Sequence, residues 1–154
     1  MIELKNKSPN ILVIGDLMID QYFWGKSERI SPEAPVQVIN VSDESMVLGG
    51  AGNVINNLKV LSSNVDVISV IGNDENAVKL KDLLTAINVD IKYLITEDNR
   101  ITSKKSRVIA SQQQVVRYDR ESTDEITALS QKLILETFKK IINNYDIVLI
   151  SDYG

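Results

Sequence analysis

The chain has 154 residues, 44% of them apolar and 25% charged, and 17 Lys and Arg against 21 Asp and Glu leave a formal charge of −4. With no Cys and no His, disulfides, thiolate or imidazole metal sites, Cys nucleophiles and Ser-His-Asp triads are excluded. The acidic balance argues against general nucleic-acid binding, so any chemistry falls to carboxylates, Lys and Arg, Tyr, hydroxyls, amides and backbone N–H groups.

The length suits one domain, and no repeat, low-complexity tract or linker divides it. Met1 to Asn10 is polar and has no apolar signal core, and the longest apolar runs fall far short of a membrane span. A soluble, cytoplasmic protein without membrane contact is the expectation. Ile11-Leu12-Val13-Ile14, closed by Gly15-Asp16, reads as a buried strand. Residues 17–48 carry no helical stripe and alternate partly over Pro35–Val41. Ala51, Val54, Ile55, Leu58 and Leu61 then fall at helical spacing.

Val65 to Ile71, closed by Gly72-Asn73-Asp74, predicts a second buried strand. Asp74 is placed to cap a helix carrying Ala77, Leu80, Leu83, Leu84 and Ile87. Residues 91–120 again break the rhythm, with Ile91–Ile95 and then Arg107 to Asp119. Both irregular stretches are expected to leave the main sheet as antiparallel excursions forming a small second sheet, a lid. Ser122-Thr123-Asp124-Glu125 reads as a capping box, with Glu125 reaching back to the Ser122 amide. It precedes a long stripe from Ile126 to Ile142. Ile147 to Ile150, closed by Ser151-Asp152, is the last strand. Alternating strands and helices predict an α/β fold with a mainly parallel sheet.

In open α/β sheets, ligands bind beyond the carboxyl ends of the strands, where Asp16, Asp74 and Asp152 stand. Turn or cap chemistry is the ordinary role of such residues. Asp16 differs because no helix follows it and Asp20 comes soon after; carboxylates there suit a hydroxyl-rich ligand. Leu48-Gly49-Gly50-Ala51-Gly52-Asn53 opens the first helix. It fits either an oxygen-ligand or anion site at free backbone N–H groups or tight helix–strand packing. It is neither a Walker A loop nor a dinucleotide fingerprint.

Lys104, Lys105, Arg107, Arg117 and Arg120 concentrate positive charge. Lys105 and Arg120 are assigned to a solvated face. With Ser111-Gln112-Gln113 as a three-residue hairpin loop, Arg107 and Arg117 would face each other. Opposed like charges are unfavourable unless an anion lies between them, and Arg suits phosphate oxygens. Tyr22-Phe23-Trp24, the aromatic cluster, is assigned to lid core or a dimer contact rather than to base stacking.

Taken in order, Gly15-Asp16-Leu17-Met18-Ile19-Asp20, Arg29-Ile30-Ser31-Pro32-Glu33-Ala34-Pro35-Val36 and Gly49-Gly50-Ala51-Gly52-Asn53 form a recognisable set. Lys104-Lys105-Ser106-Arg107-Val108, Gln113-Gln114 with Arg117 and Asp119, and Ser151-Asp152-Tyr153 complete it. The chain resembles the N-terminal half of the D-glycero-β-D-manno-heptose-7-phosphate kinases, a branch of the ribokinase-like (PfkB) sugar kinases. Their kinase domain is often the first half of a bifunctional ADP-heptose synthase.

The resemblance implies a ribokinase-like α/β fold, a parallel sheet flanked by helices with a small β lid, of which residues 1–154 are the N-terminal part. The lid segments are approximately 17–48 and 91–120, and dimerisation runs through the lids. It implies ATP and Mg²⁺ as cofactors of the complete kinase and a heptose 7-phosphate or similar sugar phosphate as partner. The product would be the 1,7-bisphosphate, on the way to the ADP-heptose of lipopolysaccharide. Asp16, Gly49, Gly50 and Asn53 match sugar-hydroxyl contacts; Lys104, Arg107 and Arg117 match basic lid positions for the substrate phosphate; Asp20 and Asp152 are further substrate-site matches. The family's catalytic base, an Asp in a Gly-Ala-Gly-Asp segment, has no counterpart in these 154 residues, nor does the nucleotide pocket. The chain alone is therefore expected to hold no catalytic, cofactor-binding or metal-binding residue and to be inactive. Two other readings are a kinase of the same superfamily acting on another carbohydrate, and a non-catalytic sugar-phosphate-binding or dimerisation module.

Overall fold

A computed structural model describes residues 8–153; the polar start read from Met1 to Asn10 lies outside it up to Lys7, as does Gly154. Four strands build the main sheet. They are β1 (Asn10–Gly15), β4 (Asn64–Gly72), β5 (Leu94–Glu97) and β8 (Ile147–Ser151), in the order β5-β4-β1-β8 with every pairing parallel. Alternation along β1 explains why both its faces are apolar. Ile11 and Val13 pack on one side with Val67, Ile55 of α1 (Ala51–Val60) and Leu80 and Leu84 of α2 (Glu75–Ala86). Leu12 turns to the other side, with Ile68 and with Ile134, Phe138 and Ile141 of α3 (Ala128–Ile141). Helices thus cover both faces, as parallel sheets require. Among the described residues no helix is long and apolar enough to cross a membrane.

The second sheet holds β2 (Leu17–Ile30), β3 (Gln37–Gly50), β6 (Lys104–Ala110) and β7 (Gln113–Arg120), in the order β3-β2-β6-β7. Three features depart from the sequence-based expectation. Leu94–Glu97 joins the main sheet alongside Ser69–Gly72, so the excursion begins after β5 rather than at residue 91. The lid sheet is mixed, because β2 pairs in parallel with β6 at its centre. The β6–β7 turn has two residues, Ser111 and Gln112, both at positive φ of 50° and 69°, the backbone hand that suits a tight hairpin.

That turn sets Ala110 opposite Gln113, and a bulge between Val108 and Ile109 shifts the register by one. Arg107 therefore still faces Arg117, as the three-residue loop predicted, but by a shorter turn plus a bulge.

The capping box is not formed. Thr127 caps α3, its Oγ1 accepting from Ser130 N at 3.2 Å, while Ser122 Oγ accepts from Ile101 N at 2.9 Å. Glu97, at the end of β5, accepts from both the amide and the hydroxyl of Thr127, at 2.8 and 2.9 Å. Burial pushes the Glu97 carboxyl up, but hydrogen bonds from Ser130 and Thr127 and the charge of Arg100 outweigh it and hold it below its ordinary value. The lowered pKa adds stability that is present above the unfolded value and lost as pH falls through the folded one. Acid unfolding should accordingly be less steep in Glu97→Gln than in the native chain at pH below about 4.5. Thr127→Ala should lower stability by about 1 kcal/mol in urea titration.

Candidate functional site

The carboxyl ends of β1 and β8 lie at the same rim, because the two strands pair in parallel up to Gly15 opposite Ser151. The chain leaves β1 at Asp16 and enters the lid at once, so this residue joins three elements. Its amide donates to Ser151 O at 3.1 Å, its carbonyl accepts from Ala51 N at 2.9 Å, and its Oδ2 accepts from Tyr153 N at 3.0 Å. Gly50 makes the middle contact possible. It has φ 55° and ψ −131° at the start of α1, and a Cβ there would lie 2.5 Å from Asp16 O. At Gly49 a Cβ would lie 2.5 Å from Asp20 Oδ2. The glycine pair is thus fixed by close packing against the segment that carries both carboxylates.

Between this rim and the lid lies a cleft of about 680 Å³. Asp16, Asp152 and Tyr153 line it from the strand ends, and Lys105, Arg117, Asp119 and Glu121 from β6, β7 and the residue just after. Strand register decides which lid side chains share this face. Asp20 pairs with Lys105, and Lys105 with Asp119; Tyr22 pairs with Arg107, and Arg107 with Arg117. Residues one step along, Lys104 among them, belong to the opposite face.

The cations on this face are held by carboxylates of the same chain. Arg107 Nη1 forms an ion pair with Asp20 Oδ1, and its guanidinium lies 5.3 Å from the centre of the Tyr22 ring. Hydrogen bonding to Asp20 raises the Arg107 pKa further, against the opposing effect of burial. Lys105 Nζ donates to Asp119 Oδ2 at 3.2 Å and Glu121 Oε2 at 3.1 Å and lies 5.8 Å from the Tyr153 ring centre. Burial disfavours its ammonium, but the two carboxylates outweigh burial and raise its pKa. Arg117 Nε pairs with Asp119 Oδ1 at 3.1 Å. Its side chain remains 51% exposed, against 10% for Lys105 and 21% for Arg107.

A further carboxylate braces Thr102, which lines the cleft. Asp74 caps α2 as expected, Oδ1 accepting from Ala77 N at 2.9 Å. Its Oδ2 also accepts from Thr102 N at 3.2 Å, which ties the segment entering β6 to the main sheet.

The pfkB family carbohydrate kinase pattern matches residues 8–153. This chain belongs to that family. Among curated relatives, the bifunctional protein HldE of Aliarcobacter butzleri (strain RM4018) is 62% identical over 149 residues, 97% of this chain and 31% of its own. That of Helicobacter hepaticus (strain ATCC 51449 / 3B1) is 51% identical over 154 residues, 100% of this chain and 32% of its own. The chain thus spans about a third of the length of these relatives. The fold is that of the ribokinase-like kinases. A carbohydrate kinase from Agrobacterium tumefaciens superposes with a TM-score of 0.69 at 20% identity, over 92% of this chain and 45% of the other. Arabidopsis thaliana ribokinase, solved with ribose and ATP, gives 0.61 at 15% identity over 94% and 45%.

Within this PfkB chain, Asp16, Arg117 and Asp152 line the cleft. Asp20 and Arg107 engage each other beside it. Gly49 and Gly50 pack under Asp20 and Asp16, Asn53 is exposed in the first turn of α1, and Lys104 lies neither on the face of Arg107 and Arg117 nor in the cleft that Arg117 lines. Lys105 and Glu121 were missed as cleft residues. The signal for Lys105 was present in the two-residue period, which puts it, not Lys104, on the face of Arg107. Tyr22 and Trp24 stack at 6.0 Å between ring centres, beside Arg107. Among the described residues no three acidic side chains converge as a cation cage.

Proposed function

We propose that this chain supplies the sugar-phosphate-binding core and lid of an ATP-dependent heptose 7-phosphate kinase. One observation carries the reading. A single cleft has Asp16 and Asp152 on its strand-end wall and Arg117 on its lid wall. Carboxylates accept from sugar hydroxyls, and an exposed guanidinium suits a phosphate, so the cleft matches a ligand with hydroxyls at one end and phosphate at the other. The 62% identity to an HldE protein supports the heptose branch over other carbohydrate kinases.

Phosphoryl transfer relies on positioning and on stabilising charge at the transferred group. The carboxylate base, the anion hole and the nucleotide contacts of the family are assigned to residues outside these 154, with ATP and Mg²⁺ as cofactors of the complete enzyme. Calorimetry on the 154-residue chain should show saturable heat with heptose 7-phosphate and none with ribose or fructose. A ribose or fructose preference would overturn the heptose assignment, and ATP turnover above background would overturn the division of labour.

We also assign homodimerisation to the lid. Every residue of the edge strand β7 is exposed, including Val115, Val116 and Tyr118, and an uncovered strand edge with exposed apolar side chains invites pairing with a second copy. Sedimentation should report a dimer for the native chain and a monomer for Val116→Lys. A native monomer at all concentrations would contradict this.

A further inference from the structure

Asp119 lines the cleft from β7 and bridges two of its cations. It is the one described carboxylate that binds two of the lid cations at once, Oδ2 on Lys105 Nζ and Oδ1 on Arg117 Nε. The two ends of that bridge differ. Lys105 is 10% exposed and held from a second side by Glu121 at 3.1 Å, so its charge is already balanced. Arg117 is 51% exposed, and Asp119 takes its Nε. Guanidinium is a planar fork of five donors, so fixing Nε sets the direction of the terminal nitrogens without occupying them. Arg107 differs in that its carboxylate, Asp20, engages a terminal nitrogen, Nη1.

We propose that Asp119 is a positioning residue for phosphate recognition, aiming the terminal nitrogens of Arg117 into the cleft while Lys105, anchored by Glu121, fixes Asp119 itself. This rests on the sugar-phosphate reading of the cleft. The chain of contacts runs Glu121–Lys105–Asp119–Arg117, and the last group is the most exposed arginine or lysine of the set. A flexible arginine loses rotamer freedom when it binds; one held in advance loses less, so a positioned Arg117 binds phosphate more tightly. The opposite role is a placeholder, in which Asp119 competes with the ligand phosphate for Arg117. The two roles differ in the sign of the effect of removing the carboxylate.

The test compares affinities for heptose 7-phosphate and for the dephosphorylated heptose in the native chain, Asp119→Asn and Arg117→Ala. Positioning predicts that Asp119→Asn lowers the ratio of the two affinities about tenfold, a change of one hydrogen bond to a charged group. General damage to the fold would lower both affinities together. A ratio unchanged or raised in Asp119→Asn, while Arg117→Ala lowers it, overturns the positioning role and leaves the reading of the cleft standing. An unchanged ratio in Arg117→Ala overturns both. Should Asp119→Asn not fold, solvent exchange of the Arg117 Nε proton in the native chain decides. Slowed exchange is expected, and exchange as fast as in free arginine would overturn the bridge.

Discussion

Gly50→Ala should lower the stability of the chain by about 3 kcal/mol, through strain at a positive φ together with a steric clash. The residue sits at φ 55° and ψ −131°, where an L side chain is strongly disfavoured. The added methyl would also meet Asp16 O at 2.5 Å. Relief by moving Asp16 would break the bond from Ala51 N and disturb the carboxylate held by Tyr153 N. The same substitution should therefore weaken ligand binding in whatever fraction remains folded. Urea titration checks the first effect, with the midpoint shifted and the slope unchanged. A midpoint equal to that of the native chain would show that the glycine is not required by backbone geometry.

Arg117→Ala should reduce affinity for heptose 7-phosphate about tenfold to a hundredfold, the range for losing one or two hydrogen bonds to a charged group. Affinity for the dephosphorylated sugar should hardly change. Stability should also hardly change, because the side chain is half exposed and an exposed ion pair contributes little. Arg107→Ala should behave in the opposite way. That residue is mostly covered, pairs with Asp20 and lies over Tyr22. Its loss leaves Asp20 without its cation beside Gly49, so the main effect is on folding. Two arginines that face each other across one hairpin would then be separated by experiment into a ligand contact and a structural contact.

The parts of the fold set by local chemistry were legible in the sequence. Short Val- and Ile-rich runs closed by Gly or Asp marked β1, β4 and β8, and the helical stripes marked α1, α2 and α3, because burial on both faces leaves a plain apolar signature. Asp74 was legible as a cap because capping is a local bond. Leu94–Glu97 was not legible as a main-sheet strand, since four residues carry no period long enough to choose a sheet; only pairing with Ser69–Gly72 decides it. The α3 cap moved from Ser122 to Thr127 because Glu97, distant in sequence, supplies the partner of Thr127. Ser122 is drawn instead to the amide of Ile101.

Part of the lining of the candidate cleft was legible in the sequence. Asp16, Asp152 and Arg117 stand in the cleft, because strand ends and strand alternation place them there. The sequence reading put Lys104 with Arg107 and Arg117 and left Lys105 to solvent; the register reverses the two lysines. Arg107 was paired correctly with Arg117 but not with its anion. The negative group beside it is Asp20, brought from a strand whose parallel pairing with β6 no local pattern announces.

In the proposed function one cleft reads both the hydroxyls and the phosphate of a sugar phosphate. Isothermal titration of the native 154-residue chain with heptose 7-phosphate, and separately with the dephosphorylated heptose, tests it most directly. Saturable binding of the phosphorylated sugar is expected, at least about tenfold tighter than that of the dephosphorylated one. Equal affinities, or no saturable heat with either sugar, would contradict it.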